Sequence, residues 1–229
     1  MMKRLFAFMI LLLIMLAAGA QLPQHDSFRV LHNDYYQTIY SDCLRVPCFS
    51  KYYFIEQVSQ KKLKRQLFRF RQDKRVPKPR PKDSDYTNSG YVRGHLVPSA
   101  DMAFSKDAMK ATFIMSNVAP MKQDFNNGVW KQIENKARSM GTIHSGIVIL
   151  TGVATVPNAP MVRIKGNIWV PDGFWKVIYD TKSKSILLAW LVLQTGDLTK
   201  ESDSRCPIDS IIKYAYLWPY QEELETTTH

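Results

Sequence analysis

The chain is organised around residues 89–102, which read Ser89-Gly90-Tyr91-Val92-Arg93-Gly94-His95-Leu96-Val97-Pro98-Ser99-Ala100-Asp101-Met102. Its Arg93-Gly94-His95 triplet combines three residue types that suit a phosphodiester-cleaving site. Arginine carries a permanent forked cation that matches phosphate, and the unperturbed pKa of histidine lets it accept a proton near neutrality. Glycine allows close backbone approach, so that both side chains can converge. Because such tripeptides also occur in ordinary polar loops, the interpretation depends on the rest of the chain.

The first twenty residues have the layout of a secretory signal peptide. Lys3 and Arg4 precede an apolar run at 5–15, and small residues follow at 17–20. The run is short for a membrane span, so we expect cleavage after Ala20 and export to the periplasm or the medium. Residues 21–229 would then form a single domain. An uncleaved membrane anchor is the alternative.

The chain is strongly basic, with a formal charge of +11. Residues 1–20 contain two basic and no acidic residues, so their removal lowers this charge to +9. A compact exported protein with such an excess attracts polyanions, namely nucleic acid, anionic lipid or anionic glycans.

Three cysteines, Cys43, Cys48 and Cys206, would enter an oxidising compartment. Cys43 and Cys48 bracket a plausible turn between two strand-like runs, which favours a disulfide across that hairpin. A Cys48–Cys206 bridge and three buried free thiols are the alternatives. No cysteine–histidine spacing in the sequence resembles a zinc site.

Strand and helix signals occur in mixed order, which predicts an α+β fold with a central antiparallel β-sheet flanked by helices. After a loose leader at 21–30, tyrosine-rich runs at 35–40 and 52–58 predict an antiparallel pair across the cysteine turn. A helical turn is expected at 105–110, and a helix that begins at a proline is expected at 207–217. Apolar runs predict further strands at 112–115, 146–152, 174–180 and 186–193.

A dense basic segment extends from Lys61 to Lys82 and contains eleven lysines and arginines. Its prolines at 77–81 exclude a helix there and favour an extended loop. Phe68 and Phe70 are expected to anchor this loop to the core. The cations are interpreted either as a solvated face or as a surface that follows the phosphates of a nucleic acid.

A helix is expected from about Asn127 to Met140, with Gly141 as its stop. Glu134 and Arg138 lie one turn apart at the edge of its apolar face, and Asn126 lies on the same side at the helix entrance. An amide, a carboxylate and a guanidinium can therefore line one side of one helix. The apolar face itself is predicted to contain Val129, Trp130, Ile133 and Ala137.

Three separated motifs carry a family resemblance. They are residues 85–98, Ser116-Asn117-Val118-Ala119-Pro120, and Phe125-Asn126-Asn127-Gly128-Val129-Trp130. Together with Glu134 and Arg138 downstream, they resemble the DNA/RNA non-specific endonucleases, the ββα-metal nucleases that include endonuclease G. The likeness extends from about Tyr35 to Leu217. It implies that the α+β fold contains a ββα-metal active-site motif.

The resemblance implies roles for three residues at the reaction centre. In this family the motif histidine is the general base that deprotonates the attacking water, a role that falls on His95. Asn126 matches the single protein ligand to a hydrated Mg²⁺ ion, with Mn²⁺ as an alternative. Sparse coordination of this kind suits Mg²⁺, which releases its waters reluctantly. Glu134 would hold metal-bound water.

Arginines are implied to hold the phosphate. Arg93 and Arg138 would clamp it and its developing charge, and an upstream family arginine maps to Arg65. Asn117 would orient the histidine loop by hydrogen bonding. This sequence departs from the family at Val92, where an aspartate usually precedes the motif arginine. That acid would help to position Arg93, so its loss concerns the orientation of the arginine and removes no catalytic group.

These observations predict an exported, Mg²⁺-dependent endonuclease that hydrolyses DNA and RNA with little sequence preference and leaves 5′-phosphate ends. Binding led by phosphates needs no readout of base edges. The alternative is an exported basic nucleic-acid-binding protein with weak or no hydrolysis. A membrane-surface or glycan-binding protein would use the charge but not the polar edge of the helix. The resemblance also allows a homodimer, and no stable membrane insertion is expected after signal cleavage.

Overall fold

The computed structural model describes residues 26–54, 63, 65–196 and 200–216. The strands are β1 (Phe28–His32), β2 (Gln37–Ser41), β3 (Val46–Tyr53), β4 (Val92–His95), β5 (Val118–Met121), β6 (Ile147–Ala154), β7 (Arg163–Ile164), β8 (Ile168–Trp169), β9 (Gly173–Asp180) and β10 (Ser185–Leu193). The α-helices are α1 (Lys106–Thr112), α2 (Gln123–Asn127), α3 (Val129–Ile143) and α4 (Ile208–Tyr214). Each of these helices is too short or too polar to cross a membrane.

Six of the strands form one antiparallel sheet in the order β1-β2-β3-β6-β9-β10. Its central strand β6 is buried on both faces, and alternate side chains enter two different cores. Ile147 and Ile149 pack towards α3 in the larger core, whereas Val148 and Leu150 pack with Ile211 of α4 in the smaller one. The sheet is therefore a fixed platform between helices.

The second sheet consists of β4 and β5 and lies on the α3 side of the platform. Its strands pair antiparallel, with His95 opposite Val118. The chain passes from β5 almost directly into α2 and then, across Gly128, into α3. Trp130 at the start of α3 packs against Phe174 of the platform, with ring centroids 5.6 Å apart. This strand–strand–helix unit positions the functional residues.

The α+β class and the central antiparallel sheet flanked by helices are confirmed. The strands predicted at 146–152, 174–180 and 186–193 correspond to β6, β9 and β10 within two residues at each end. An antiparallel pair does form, between β2 and β3, but β3 begins at Val46 instead of Tyr52, so Cys48 lies within the strand and not beside the turn. The apolar face of the long helix is buried as predicted. Phe68 and Phe70 do anchor the basic segment, since both rings pack against Phe113.

The disulfide prediction is wrong, because none of the three cysteines, all of them in the described part of the chain, forms a disulfide. Cys48 is buried with Phe49 and Trp175 in the smaller core, and this burial keeps the pKa of its thiol high. Cys43 lies instead in the β2–β3 turn, where its backbone N–H donates to Asp26 at 3.2 Å.

Three local predictions are also corrected. Residues 28–30, expected in a loose leader, belong to the edge strand β1, and residues 112–115 end α1 and enter a 3-10 turn instead of forming a strand. Helix α3 continues through Gly141 to Ile143. A Cβ at Gly141 would overlap the ring of Phe54, so this glycine permits close packing and does not end the helix. Three parts of the predictions lie outside the described residues: the signal peptide at 1–20, the end of a predicted strand at 55–58, and the last residue of a predicted helix, 217.

Candidate active site

The loop after His95 is held by Asn117, which is completely buried. The Val97 N–H donates to Oδ1 of Asn117 at 3.0 Å, and Nδ2 of Asn117 donates to the carbonyls of Val97 and Thr112, each at 3.1 Å. The Leu96 N–H donates to the Asn117 carbonyl at 2.9 Å. The side-chain amide of Asn117 therefore fixes the backbone that directly follows His95. This arrangement is expected of a residue that orients the loop.

His95 lies at the end of β4 in an aromatic environment. Its ring centroid is 5.2 Å from those of Phe70 and Phe113. Nε2 is buried and has no hydrogen-bond partner within the described part of the chain. Burial, assisted by the positive charge of Arg65, lowers the pKa of His95 from 6.5 to about 3. At neutral pH the imidazole is therefore uncharged.

A cleft of about 540 Å³ opens beside this imidazole. Helix α3 lines it with Lys131, Glu134 and Arg138, and α2 contributes Asn126. Arg65 of the basic segment closes another side. Five of the residues singled out in the sequence thus share one cleft: Arg65, His95, Asn126, Glu134 and Arg138.

Glu134 is half-buried in the cleft and makes no hydrogen bond or ion pair to any described residue. Burial raises the pKa of its carboxyl above the ordinary value, while the charge of Lys176 opposes this rise. Lys176 is completely buried under α3, where Nζ contacts Oγ1 of Thr151 and lies 5.3 Å from the Trp130 ring centroid. Its own pKa is lowered by the same burial.

Asn126 and Glu134 offer oxygen atoms that fit a divalent cation such as Mg²⁺. The Asn126 side chain has one long contact, from Nδ2 to Oδ1 of Asn127 at 3.5 Å, so its oxygen is uncommitted within the described residues. No cluster of three or more His, Cys, Asp or Glu side chains suited to a metal occurs in those residues. The donor set therefore fits an ion that keeps most of its water shell better than it fits a protein cage.

Arg93 lies outside this cleft. It lines an adjoining groove that Arg65 also borders, and its guanidinium lies over the rings of Tyr86 and Phe70, 5.4 and 5.9 Å from their centroids. The guanidinium forms an ion pair with Asp83 and donates to the Asp83 carbonyl. Asp83 thus supplies the carboxylate that was expected at position 92.

Some cations of the basic segment are bound to other groups of the protein, whereas others line the cleft or the adjoining groove. Arg75 is paired with the buried Asp73, and Arg80 donates to the carbonyls of Lys74 and Val76. Within the described part of the segment, Arg65 borders both the cleft and the groove, and Arg69 borders the groove.

Sequence reasoning missed three residues of this region. Lys131 faces the cleft one helical turn before Asn135, so the periodicity that selected Glu134 and Arg138 could have found it. Asp101 is buried and forms an ion pair with Arg138, and the charge of the buried Lys176 acts on Glu134 without an ion pair. Both pairs join residues far apart in sequence. A lysine between the apolar residues of β9 was the only local signal for Lys176.

Comparisons with known proteins agree with this geometry. A profile of the family described as DNA/RNA non-specific endonuclease matches residues 18–216. The chain is 36% identical over 140 residues to Nuclease 1, mitochondrial, of Schizosaccharomyces pombe, covering 56% of this chain and 44% of the relative. It is 32% identical over 108 residues to Endonuclease G, mitochondrial, of Bos taurus, covering 43% and 36%. The chain thus spans less than half the length of either relative.

A solved structure shares the fold. The structure described as "Crystal structure of the EndoG/EndoGI complex: Mechanism of EndoG inhibition" superposes with a TM-score of 0.76 at 24% identity. The superposition covers 88% of each chain.

Proposed function

Because the chain belongs to the DNA/RNA non-specific endonuclease family, we propose that it is an exported, Mg²⁺-dependent endonuclease that hydrolyses phosphodiester bonds of DNA and RNA. One observation carries the proposal. The buried, uncharged imidazole of His95 has an unpartnered nitrogen and shares a cleft with the amide of Asn126, the carboxylate of Glu134 and the guanidinium of Arg138.

The chemistry of this cleft suits hydrolysis. His95 would accept a proton from water as the water oxygen forms a bond to phosphorus, a role that typically contributes about 10²–10⁴-fold. The bond from phosphorus to the 3′-oxygen breaks, the departing oxygen takes a proton from solvent to become the 3′-hydroxyl, and the phosphate remains on the 5′ side. His95 then returns its proton to solvent. Arg65 and Arg138 would hold the phosphate oxygens and offset the charge that develops on them.

A divalent cation fits beside Asn126. Asn126 would hold it directly, and Glu134 would hold it through hydrogen bonds to its water shell. Such an ion, Mg²⁺ or Mn²⁺, would supply electrostatic stabilisation of the phosphoryl group and of the departing oxygen.

Indifference to base sequence follows from the character of the site. The cations of the cleft, Arg65, Lys131 and Arg138, suit phosphate oxygens, and the adjoining groove adds Arg69 and Arg93. Such contacts position a nucleic acid without reading its base edges. Both DNA and RNA are therefore proposed as substrates.

The proposal of export rests on residues 1–20. These have a basic start, an apolar centre and small residues before Ala20, and the family match begins at residue 18. Fractionation of cells that express the full chain tests it, because an exported protein should lose about twenty residues at its N-terminus. Detection of the full-length chain in the cytoplasm alone would contradict it.

Nicking of supercoiled plasmid, with and without EDTA, tests the proposed activity. Wild-type protein should cut plasmid and RNA in Mg²⁺, and EDTA should stop both reactions. The products should accept a 5′-label from a kinase only after phosphatase treatment.

His95→Ala separates hydrolysis from binding. It should reduce cutting by at least about 10²-fold while retaining affinity for DNA in a gel-shift assay. His32→Ala, which changes an exposed histidine on the edge strand β1, is the matched control. Binding without Mg²⁺-dependent cutting by the wild-type protein would instead establish a nucleic-acid-binding protein.

A further inference from the structure

We propose that Asp101 is a positioning residue that holds Arg138 in the cleft and fastens helix α3 to the loop that carries His95. The inference rests on the proposed function, since it concerns the geometry of that same site. Asp101 lies six residues after His95, and its carboxylate is almost wholly shielded from solvent.

Two donors from different parts of the fold meet at this carboxylate. The Tyr52 hydroxyl on β3 donates to Oδ2 at 2.6 Å, and Nε of Arg138 on α3 donates to Oδ1 at 2.8 Å. Tyr52 is completely buried in the central sheet. The sheet, the histidine loop and the helix are therefore joined at one side chain.

The Asp101–Arg138 contact determines which nitrogen of the Arg138 guanidinium remains able to bind a ligand in the cleft. Nε is used by Asp101, and Nη1 donates to Oδ1 of Asn135 at 2.9 Å. Nη2 makes no hydrogen bond within the described residues, so it is the group best able to donate to a phosphate oxygen in the cleft that Arg138 lines. Held at two nitrogens, the planar group has little freedom to turn.

The same contact sets the spacing of the catalytic groups. His95 is the last residue of β4 and leads directly into the loop that contains Asp101, whereas Glu134 is on α3. Asp101 links this loop to α3 directly through Arg138. A displacement of about 1 Å at a reacting centre can reduce the rate by about 10²-fold. A loosened link should therefore affect turnover more than binding of the substrate.

The primary test is Asp101→Asn, measured by steady-state cleavage of a single-stranded DNA oligonucleotide in Mg²⁺. The variant should lower kcat by about 10- to 100-fold and change KM less than threefold. Asp73→Asn is the matched control, because Asp73 is equally buried and pairs with Arg75 at 2.7 Å and with the Ser116 hydroxyl at 2.6 Å. The control should lose stability but retain kcat per folded molecule. Equal loss of kcat in both variants would overturn the proposal.

A double-mutant cycle tests whether Asp101 acts through Arg138. In an Arg138→Ala background, Asp101→Asn should change kcat less than about twofold, because its partner is already absent. The same fold-loss in both backgrounds would show that Asp101 does not act through Arg138. If Asp101→Asn does not fold, Tyr52→Phe replaces it in the same two backgrounds, with a few-fold loss of kcat expected only when Arg138 is present.

The outcomes also separate this inference from the proposed function. Wild-type protein that does not cut in Mg²⁺ refutes the proposed function. Wild-type protein that cuts, while Asp101→Asn and Tyr52→Phe retain full kcat, refutes only the role of Asp101.

Discussion

Truncation of Asn117 should show how strongly the histidine loop depends on a single amide. In Asn117→Ala, the Val97 N–H and the carbonyls of Val97 and Thr112 lose their partner in a site with no solvent exposure. Each stranded buried group costs about 1–3 kcal/mol. Because water can enter the space left by the amide and satisfy part of this loss, we expect the free energy of unfolding to fall by about 3 kcal/mol. A domain with a total stability of about 5–15 kcal/mol would remain folded.

Activity should fall further than this loss of stability explains. With Val97 released, His95 loses its fixed position, and kcat per folded molecule should fall at least about tenfold. Urea unfolding followed by tryptophan fluorescence gives the stability, and plasmid nicking at low temperature gives the activity.

Gln194→Ala is the matched control for Asn117→Ala. Gln194 is also buried and makes three amide hydrogen bonds, one from the Lys122 N–H and two to the carbonyls of Pro120 and Pro171. It should lose similar stability with a smaller loss of kcat. The reasoning is refuted if Asn117→Ala loses less than about 1 kcal/mol, or if the two variants lose kcat equally.

Two further predictions concern titration. The unfolded-state pKa of His95 is about 6.5, whereas burial lowers the folded-state pKa to about 3, so stability is retained above pH 6.5 and lost as the pH falls towards 3. Between pH 7 and 4.5, wild type should therefore lose about 2–3 kcal/mol more than His95→Phe in urea unfolding, and parallel pH profiles would contradict this. In Lys176→Met, loss of the charge that lowers the pKa of Glu134 should move the acidic limb of the kcat–pH profile to higher pH. Lys131→Met, which removes an exposed lysine, is the comparison. If the acidic limb of the profile lies at the same pH in Lys176→Met as in wild type, Lys176 does not influence Glu134.

Local periodicity was sufficient to predict the helix that carries Glu134 and Arg138. Residues three and four apart share a helix face, so burial of Trp130 and Ile133 fixes the direction of the remaining positions. The strand–strand–helix unit was expected only through the family resemblance. The boundaries were less predictable: Gly141 resembled a helix end, but the ring of Phe54, distant in sequence, explains its presence.

Contacts between residues distant in sequence account for the features that the sequence did not predict. Neither Asp101 nor Tyr52 has a neighbour in sequence that indicates a partnership with Arg138. The same holds for the pairing of Arg93 with Asp83, ten residues earlier, which replaces a carboxylate expected at position 92. Sequence reasoning identified groups by chemical type, whereas the fold determined which partner each group meets.

The charges under α3 explain why this part of the core is not simply apolar. Burying an ion costs several kcal/mol, and apolar replacements of buried ion pairs are often equally or more stable. Two cations, Lys176 and Arg138, nevertheless lie beside two carboxylates, Asp101 and Glu134, and the neighbouring charges influence the pKa values of Glu134, Arg138 and Lys176. Of the two carboxylates, Asp101 is committed to protein donors, while Glu134 keeps its oxygens available in the cleft. The buried charges therefore balance one another, so that one carboxylate fixes the arginine and the other remains open to an incoming ligand.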